Sequence, residues 1–156
     1  PYTVALTFGC VLREGESLTS TRVMARVGPS IVPGLHAQWE AGFGPGANLG
    51  MRPDAEMADA FNTYIQEFAE KTGTPSDRLY LEAHRGHMVF LKPDEEQFVT
   101  EEAIARSLTG TGPEIIEKIE AMAAAGIDNI AISVTDARGA RELIQDFGRE
   151  VISKRG

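Results

Sequence analysis

Apolar positions along this chain repeat in several patterns, and each pattern predicts its own kind of element. Tyr2–Leu12 (YTVALTFGCVL) is apolar and β-branched on both faces, which predicts a strand covered on both sides. Gly9 within it marks a bulge or a close backbone approach. Arg13–Ser20 is polar, contains Gly15, and ends in Thr and Ser residues able to cap a helix. From Arg22 to Glu40, Val23, Val27, Ile31, Leu35 and Trp39 recur at every fourth position and make one helical stripe. Pro29 and Pro33 interrupt that stripe, each removing a donor and crowding the preceding turn, so two helices or one strongly kinked helix is expected.

The glycine-rich stretch Gly42–Gly50 (GFGPGANLG) predicts a connection, and Glu56–Lys71 an amphipathic helix with Met57, Phe61, Ile65 and Phe68 on one face, stopped by Gly73. Leu79–Leu91 mixes apolar and polar residues and fits a short strand or an extended loop. Lys92–Phe98 is polar, and Thr100–Leu108 has the pattern of a short helix. Gly110–Pro113 opens a helix with proline in its first turn. Ile115, Ile116, Ile119, Met122 and Ala123 form its expected buried face, and Gly126 ends it. Asn129–Val134 (NIAISV) predicts a short buried strand. Asp136 can then cap a last helix whose Leu143, Ile144, Phe147 and Val151 face inward. Helix, turn, strand and helix joined by such short loops predict a single α/β domain over residues 1–156, without internal repeats.

Composition narrows the partners. A chain of 156 residues with 42% hydrophobic and 24% charged residues is ordinary for a globular domain. Its net charge of -8 argues against a nucleic-acid surface, which needs a basic footprint. No apolar run approaches the roughly 20 residues of a membrane span, and the N-terminus lacks the basic region of a signal peptide. Cys10 is the one cysteine, so an intramolecular disulfide is ruled out and a reducing, cytoplasmic setting is the expectation. Its side chain reads as a small apolar group of the first strand. Pro1 fits either a trimmed initiator or a piece of a longer chain.

One long segment resembles a known family. Gly110–Val134 (GTGPEIIEKIEAMAAAGIDNIAISV) is similar to the closing unit of luciferase-like barrels, with an added glycine before the proline of the turn. Cys10–Ser17 (CVLREGES), Gly28–Glu40 (GPSIVPGLHAQWE) and His84–Glu96 (HRGHMVFLKPDEE) resemble consecutive segments of one branch of that family. The resemblance implies a flavin- or F420-dependent oxidoreductase or monooxygenase, with FMN or F420 as cofactor and a small organic substrate. A complete (β/α)8 barrel needs at least about 200 residues. The expected fold is therefore a partial TIM-type (β/α)8 barrel, its C-terminal portion with a helical insertion.

Such barrels carry their sites at the C-terminal ends of the strands. That rule puts Arg13, Glu14 and Glu16 on the functional rim, together with Thr135 and Asp136. The plainer reading makes Glu14 and Glu16 solvated and Asp136 a helix cap. His84-Arg85-Gly86-His87 is the most concentrated polar cluster, and the resemblance implies that His84, Arg85 and His87 approach the cofactor. The alternative is a pair of surface or helix-capping histidines.

A metal centre would need a third protein ligand, and His36 is the one histidine left; none is expected. His36 and Trp39 read as core residues, and Asp94-Glu95-Glu96 as a solvated turn. Gly42–Gly50 lacks the spacing and lysine of a phosphate loop. No catalytic residue can be named. A non-catalytic half-barrel serving in assembly or small-ligand binding is the alternative function. An unrelated phosphate-binding α/β protein is a third, and self-association into a homo-oligomer fits the half-barrel.

Overall fold

A computed structural model describes residues 1–43, 55–134 and 137–155. The predictions for residues 44–50, Thr135 and Asp136 lie outside them. Four short strands and six α-helices follow one another in the described chain. They are β1 (Val4–Thr7), β2 (Gly9–Val11), α1 (Thr21–Phe43), α2 (Ala55–Thr72), α3 (Leu79–Ala83), α4 (Glu101–Ala105), β3 (Leu108–Gly110), α5 (Gly112–Ala124), β4 (Asn129–Ile132) and α6 (Ala137–Glu150). Among the described residues no closed barrel forms, and no helix is long and apolar enough to cross a membrane.

The expected single strand Tyr2–Leu12 is divided at Phe8 because its halves take different partners. β1 pairs in parallel with β4, Val4 opposite Asn129, and β2 pairs in parallel with β3, Gly9 opposite Leu108. The N-terminal strand therefore lies between β3 on one side and β4 on the other. Its two halves also differ in cover. All of β2 is buried, whereas alternate residues of β1 are open, with Leu6 77% exposed. The expectation of a strand covered on both sides holds for β2 and fails for β1. It fails likewise for β4, where exposed and half-buried residues alternate.

Side chains alternate across a strand, so β2 serves two cores. Cys10 belongs to the cluster built by Val23, Val27, Leu35 and Trp39 of α1, Phe61 and Ile65 of α2, and Phe98 and Ile104. Val11 belongs to the second, with Leu108, Ile115, Phe147 and Val151. Gly9 is required at the join. A Cβ there would stand 2.1 Å from the Leu108 carbonyl oxygen.

α1 runs unbroken through Pro29 and Pro33, not as two helices. The prolines are four residues apart and share one face, so the lost donors fall along a single line of the helix. Ser20 opens α1, accepting from the Val23 amide at 3.3 Å. Leu79–Leu91, expected as strand or loop, begins instead as α3, and Lys92–Phe98 contains a 3-10 turn at Pro93–Phe98.

The segment expected to be helical to Leu108 stops at α4. Lys118 then fixes β3, donating to the carbonyls of Ala105, Ser107 and Thr109 at 2.7, 2.9 and 2.7 Å. Of the expected inward faces, Ala123 and Ile144 are exposed, the latter at 69%.

Gly9→Ala should therefore destabilise the protein by about 1–3 kcal/mol or more, since backbone must move to admit the methyl. Gly34→Ala, on an open face of α1 with nothing within 4 Å, should stabilise it by about 0.5–1 kcal/mol. Urea midpoints of the two variants check both signs.

Candidate functional site

Polar side chains gather at the two ends of α1. At its start the turn after β2 folds around Glu16, whose carboxylate accepts from the Arg13 amide at 2.9 Å and the Ser20 hydroxyl at 2.9 Å. Arg22 donates to it through Nε at 2.9 Å and through Nη2, and Nη2 also reaches the Val11 carbonyl at 2.9 Å. Glu16 is thus a structural hub and not a solvated rim residue. Hydrogen bonding from Arg22 comes first among the causes that hold its pKa down at about 2, helped by the Arg13 amide and Ser20. The same pairing raises the pKa of Arg22. Cys10, beside them in the core, is pushed up by burial, as an inert apolar thiol should be.

Arg13 and Glu14 are exposed and line a cleft of about 400 Å³ at the C-terminal ends of β2 and β3. Its other walls are Thr111, Gly112 and Pro113 at the start of α5, and Asp146, Arg149 and Glu150 of α6. Arg149 is held by Asp146 at 2.9 Å and Glu150 at 2.7 Å. The Glu114 carboxylate accepts from the Thr111 amide and hydroxyl at 2.7 and 2.8 Å, which lowers its pKa. The Arg13 guanidinium makes no ion pair among the described residues.

The far end of α1 holds the second group. His36 and Glu40 are one helical turn apart and face the chain that leaves α3. His84 Nε2 lies 2.8 Å from Glu40 Oε1, and His84 Nδ1 lies 3.2 Å from His87 Nδ1. The His36 ring centroid is 5.4 Å from that of His84 and 5.7 Å from that of His87. Gly86 and Met88, on either side of His87, both have positive φ, at 83° and 59°. A Cβ on Gly86 would meet the Phe90 ring at 2.8 Å. That tight turn is what swings His87 back toward His84.

Beneath the rings lies a buried ion pair. Glu95 is 1% exposed, and its Oε1 stands 2.8 Å from Lys92 Nζ and 3.2 Å from His36 Nε2. Lys92 also donates to the carbonyls of Glu82 and Ala83 at 2.7 and 3.2 Å, which locks the end of α3. The expected solvated turn is corrected here: Glu95 points inward because Lys92 and His36 both meet it. Tyr64, near the same carboxylate, is pushed up to about 12, chiefly by burial and then by Glu95 and Asp94. Burial, followed by His36 and His84, lowers the pKa of His87, with Glu40 opposing.

The five residues expected to share a cofactor site therefore fall in two places. Arg13 and Glu14 are tied to the start of α1, and His84 and His87 to its far half. Arg22 and His36 are fourteen positions apart, roughly 20 Å of helix. Arg85 is exposed and paired with Glu82 at 3.1 Å, outside the histidine group. The core placement of His36 expected from the sequence holds, at 1% exposure, but the sequence pattern does not show its place in this group, and Glu95, expected in solvent, is buried. No protein family, curated protein or solved structure matches the chain.

Two outcomes follow. Lys92→Met should cost about 3–5 kcal/mol in a urea titration, because it leaves the Glu95 charge buried and uncompensated. Adding Glu95→Gln to it should restore part of the loss. For Glu16, a folded pKa of about 2 lies below its ordinary value of 4.5. Its stabilisation is complete above pH 4.5 and lost as pH falls toward 2. Glu16→Gln should therefore lower stability at pH 7 and flatten the acid limb of a stability-against-pH curve.

Proposed function

We propose that this chain is the C-terminal part of a luciferase-like oxidoreductase that uses FMN or F420 for hydride transfer or monooxygenation of a small organic substrate. The observation that carries the reading is the cleft at the C-terminal ends of the parallel strands β2 and β3, where such folds hold their ligands. Arg13 there is free to meet an anionic phosphate, and the Gly112 amide in the first turn of α5 adds one backbone donor beside it. Glu14, Asp146 and Glu150 oppose that charge, so the fit requires Arg149 to turn from its carboxylates toward the ligand. The bound cofactor supplies the redox chemistry. The chain's own residues hold its phosphate and shield one wall of the pocket. His84, Arg85 and His87 follow α3 and gather by the far half of α1, too distant to hold the same phosphate.

A second reading, a non-catalytic half-barrel used in assembly, is favoured by apolar surface. Tyr2, just before β1, and Val4 and Leu6 within it are 71%, 53% and 77% exposed. A cleft of about 690 Å³ between β4, α5 and α6 is lined by Ile119, Ile130, Phe147 and Ile152. Surface of this kind marks a covered interface.

Fluorescence titration of the chain with FMN and with F420 separates the two readings. Saturable binding of either, weakened about tenfold or more by Arg13→Ala, is the expected result, the loss of one charge-assisted contact. A chain that binds neither and elutes as a stable dimer overturns the cofactor reading in favour of assembly.

A further inference from the structure

The geometry points to a zinc site formed by His36, His84 and His87, with Glu95 and Glu40 orienting two of its ligands. One ring nitrogen from each histidine lies within 4.8 Å of the other two. Three imidazoles converging on one point, with a fourth position open, form a frequent zinc set, and imidazole suits that ion. A tetrahedral ion with bonds of about 2.0–2.1 Å would bring the three nitrogens to roughly 3.3 Å apart. The Nδ1 atoms of His84 and His87 are already 3.2 Å apart. Rotation of the exposed His87 ring and a small movement of His84 complete the contraction toward His36, whose ring is fixed in the core.

Hydrogen bonding determines which nitrogens are available. A carboxylate accepts only, so His36 donates through Nε2–H to Glu95, and His84 through Nε2–H to Glu40. The proton on Nε2 leaves Nδ1 of each ring as a bare lone pair. In His84 that lone pair faces His87. In His36 it is buried without any hydrogen-bond partner, in a residue 1% exposed. A buried polar atom of this kind calls for a partner. Carboxylate, histidine and metal in series are the arrangement that fixes a ligand's tautomer and raises its basicity. Here the carboxylate–histidine half of that arrangement occurs twice, at Glu95–His36 and Glu40–His84, and the Nδ1 of His36 is left without a partner.

The ion would tie α1 to the turn after α3. Its fourth position lies on the side of the exposed His87 and would take water or an anionic oxygen. This site lies at the other end of α1 from the cleft of Arg13 and does not depend on the cofactor reading.

The test is to strip the full chain with EDTA and titrate it with Zn2+ against a chromophoric chelator. One tightly held equivalent per chain is expected, and Co2+ in its place should give the intense visible bands of a four-coordinate ion. His87→Ala, which alters an exposed side chain, and His84→Ala should each weaken binding more than about a hundredfold, beyond the effect of losing an orienting group. Glu40→Gln keeps every ligand and should weaken it about ten- to a hundredfold. Circular dichroism confirms that each variant is folded. Less than one equivalent on the wild-type chain, or affinity unchanged in both histidine variants, overturns the proposal.

Discussion

A carboxylate removed from water must be answered where it lies, and Glu95 sets that demand on the helical half of this protein. Burying an unpaired charge costs several kcal/mol even after relaxation. At 1% exposure, the Glu95 side chain is answered by Lys92 three residues before it and by His36 across the core. Lys92 must then turn inward too, and its remaining protons go to the last carbonyls of α3. One buried charge thus fixes the 3-10 turn at Pro93–Phe98, the end of α3 and the rotation of α1 about its axis. The packing of Phe61 against His36 and Phe98, with ring centroids 5.4 Å apart in each case, closes around that arrangement.

The other half depends on β2, three residues that divide one core from another. The Leu108 backbone pressed against Gly9 explains why that position cannot carry a side chain, and the burial of β2 explains why Cys10 is inert. It also explains the break at Phe8. Past that point the same strand turns to β4, where β1 and β4 alternate exposed and half-buried residues. The molecule is well packed where β2 and β3 meet the helices and open where β1 and β4 meet solvent. Leu6 is exposed on one face of that pair, and the apolar cleft beside Ile130 opens on the other.

Elements whose periodicity coincides with burial were legible in the sequence. The four-residue stripe of α1 is there because Val23, Val27, Leu35 and Trp39 do face one core, and Cys10 was legible as an apolar strand residue. β3 was not legible: Leu-Thr-Gly is too short for any period, and its position is set by Lys118 from the next helix. Ala123 and Ile144 belong to apolar stripes yet are exposed, since a helical stripe records which face is apolar, not whether anything covers it. The histidine group was half legible. His84 and His87 stood out by proximity, but His36 looked like an ordinary core residue and Glu95 like one of three acidic residues in a turn. Only the fold brings residues 36, 40, 84, 87 and 95 together.

That convergence also bears on why the chain tolerates a costly turn. Met88 adopts the left-handed region, which favours glycine and is unfavourable for a long side chain. Beside it Gly86 takes the same sign of φ, and together they fold His87 back onto His84. A loop with no task at this point could be relieved by a glycine or asparagine at position 88. Met88 itself is 40% exposed, so core packing does not hold it there. The constraint comes from either side: Lys92 anchors the downstream end to α3, and Glu40 anchors His84 to α1. Between two fixed ends the turn has one short path, and that path leaves three imidazoles facing one another beside an unsatisfied nitrogen.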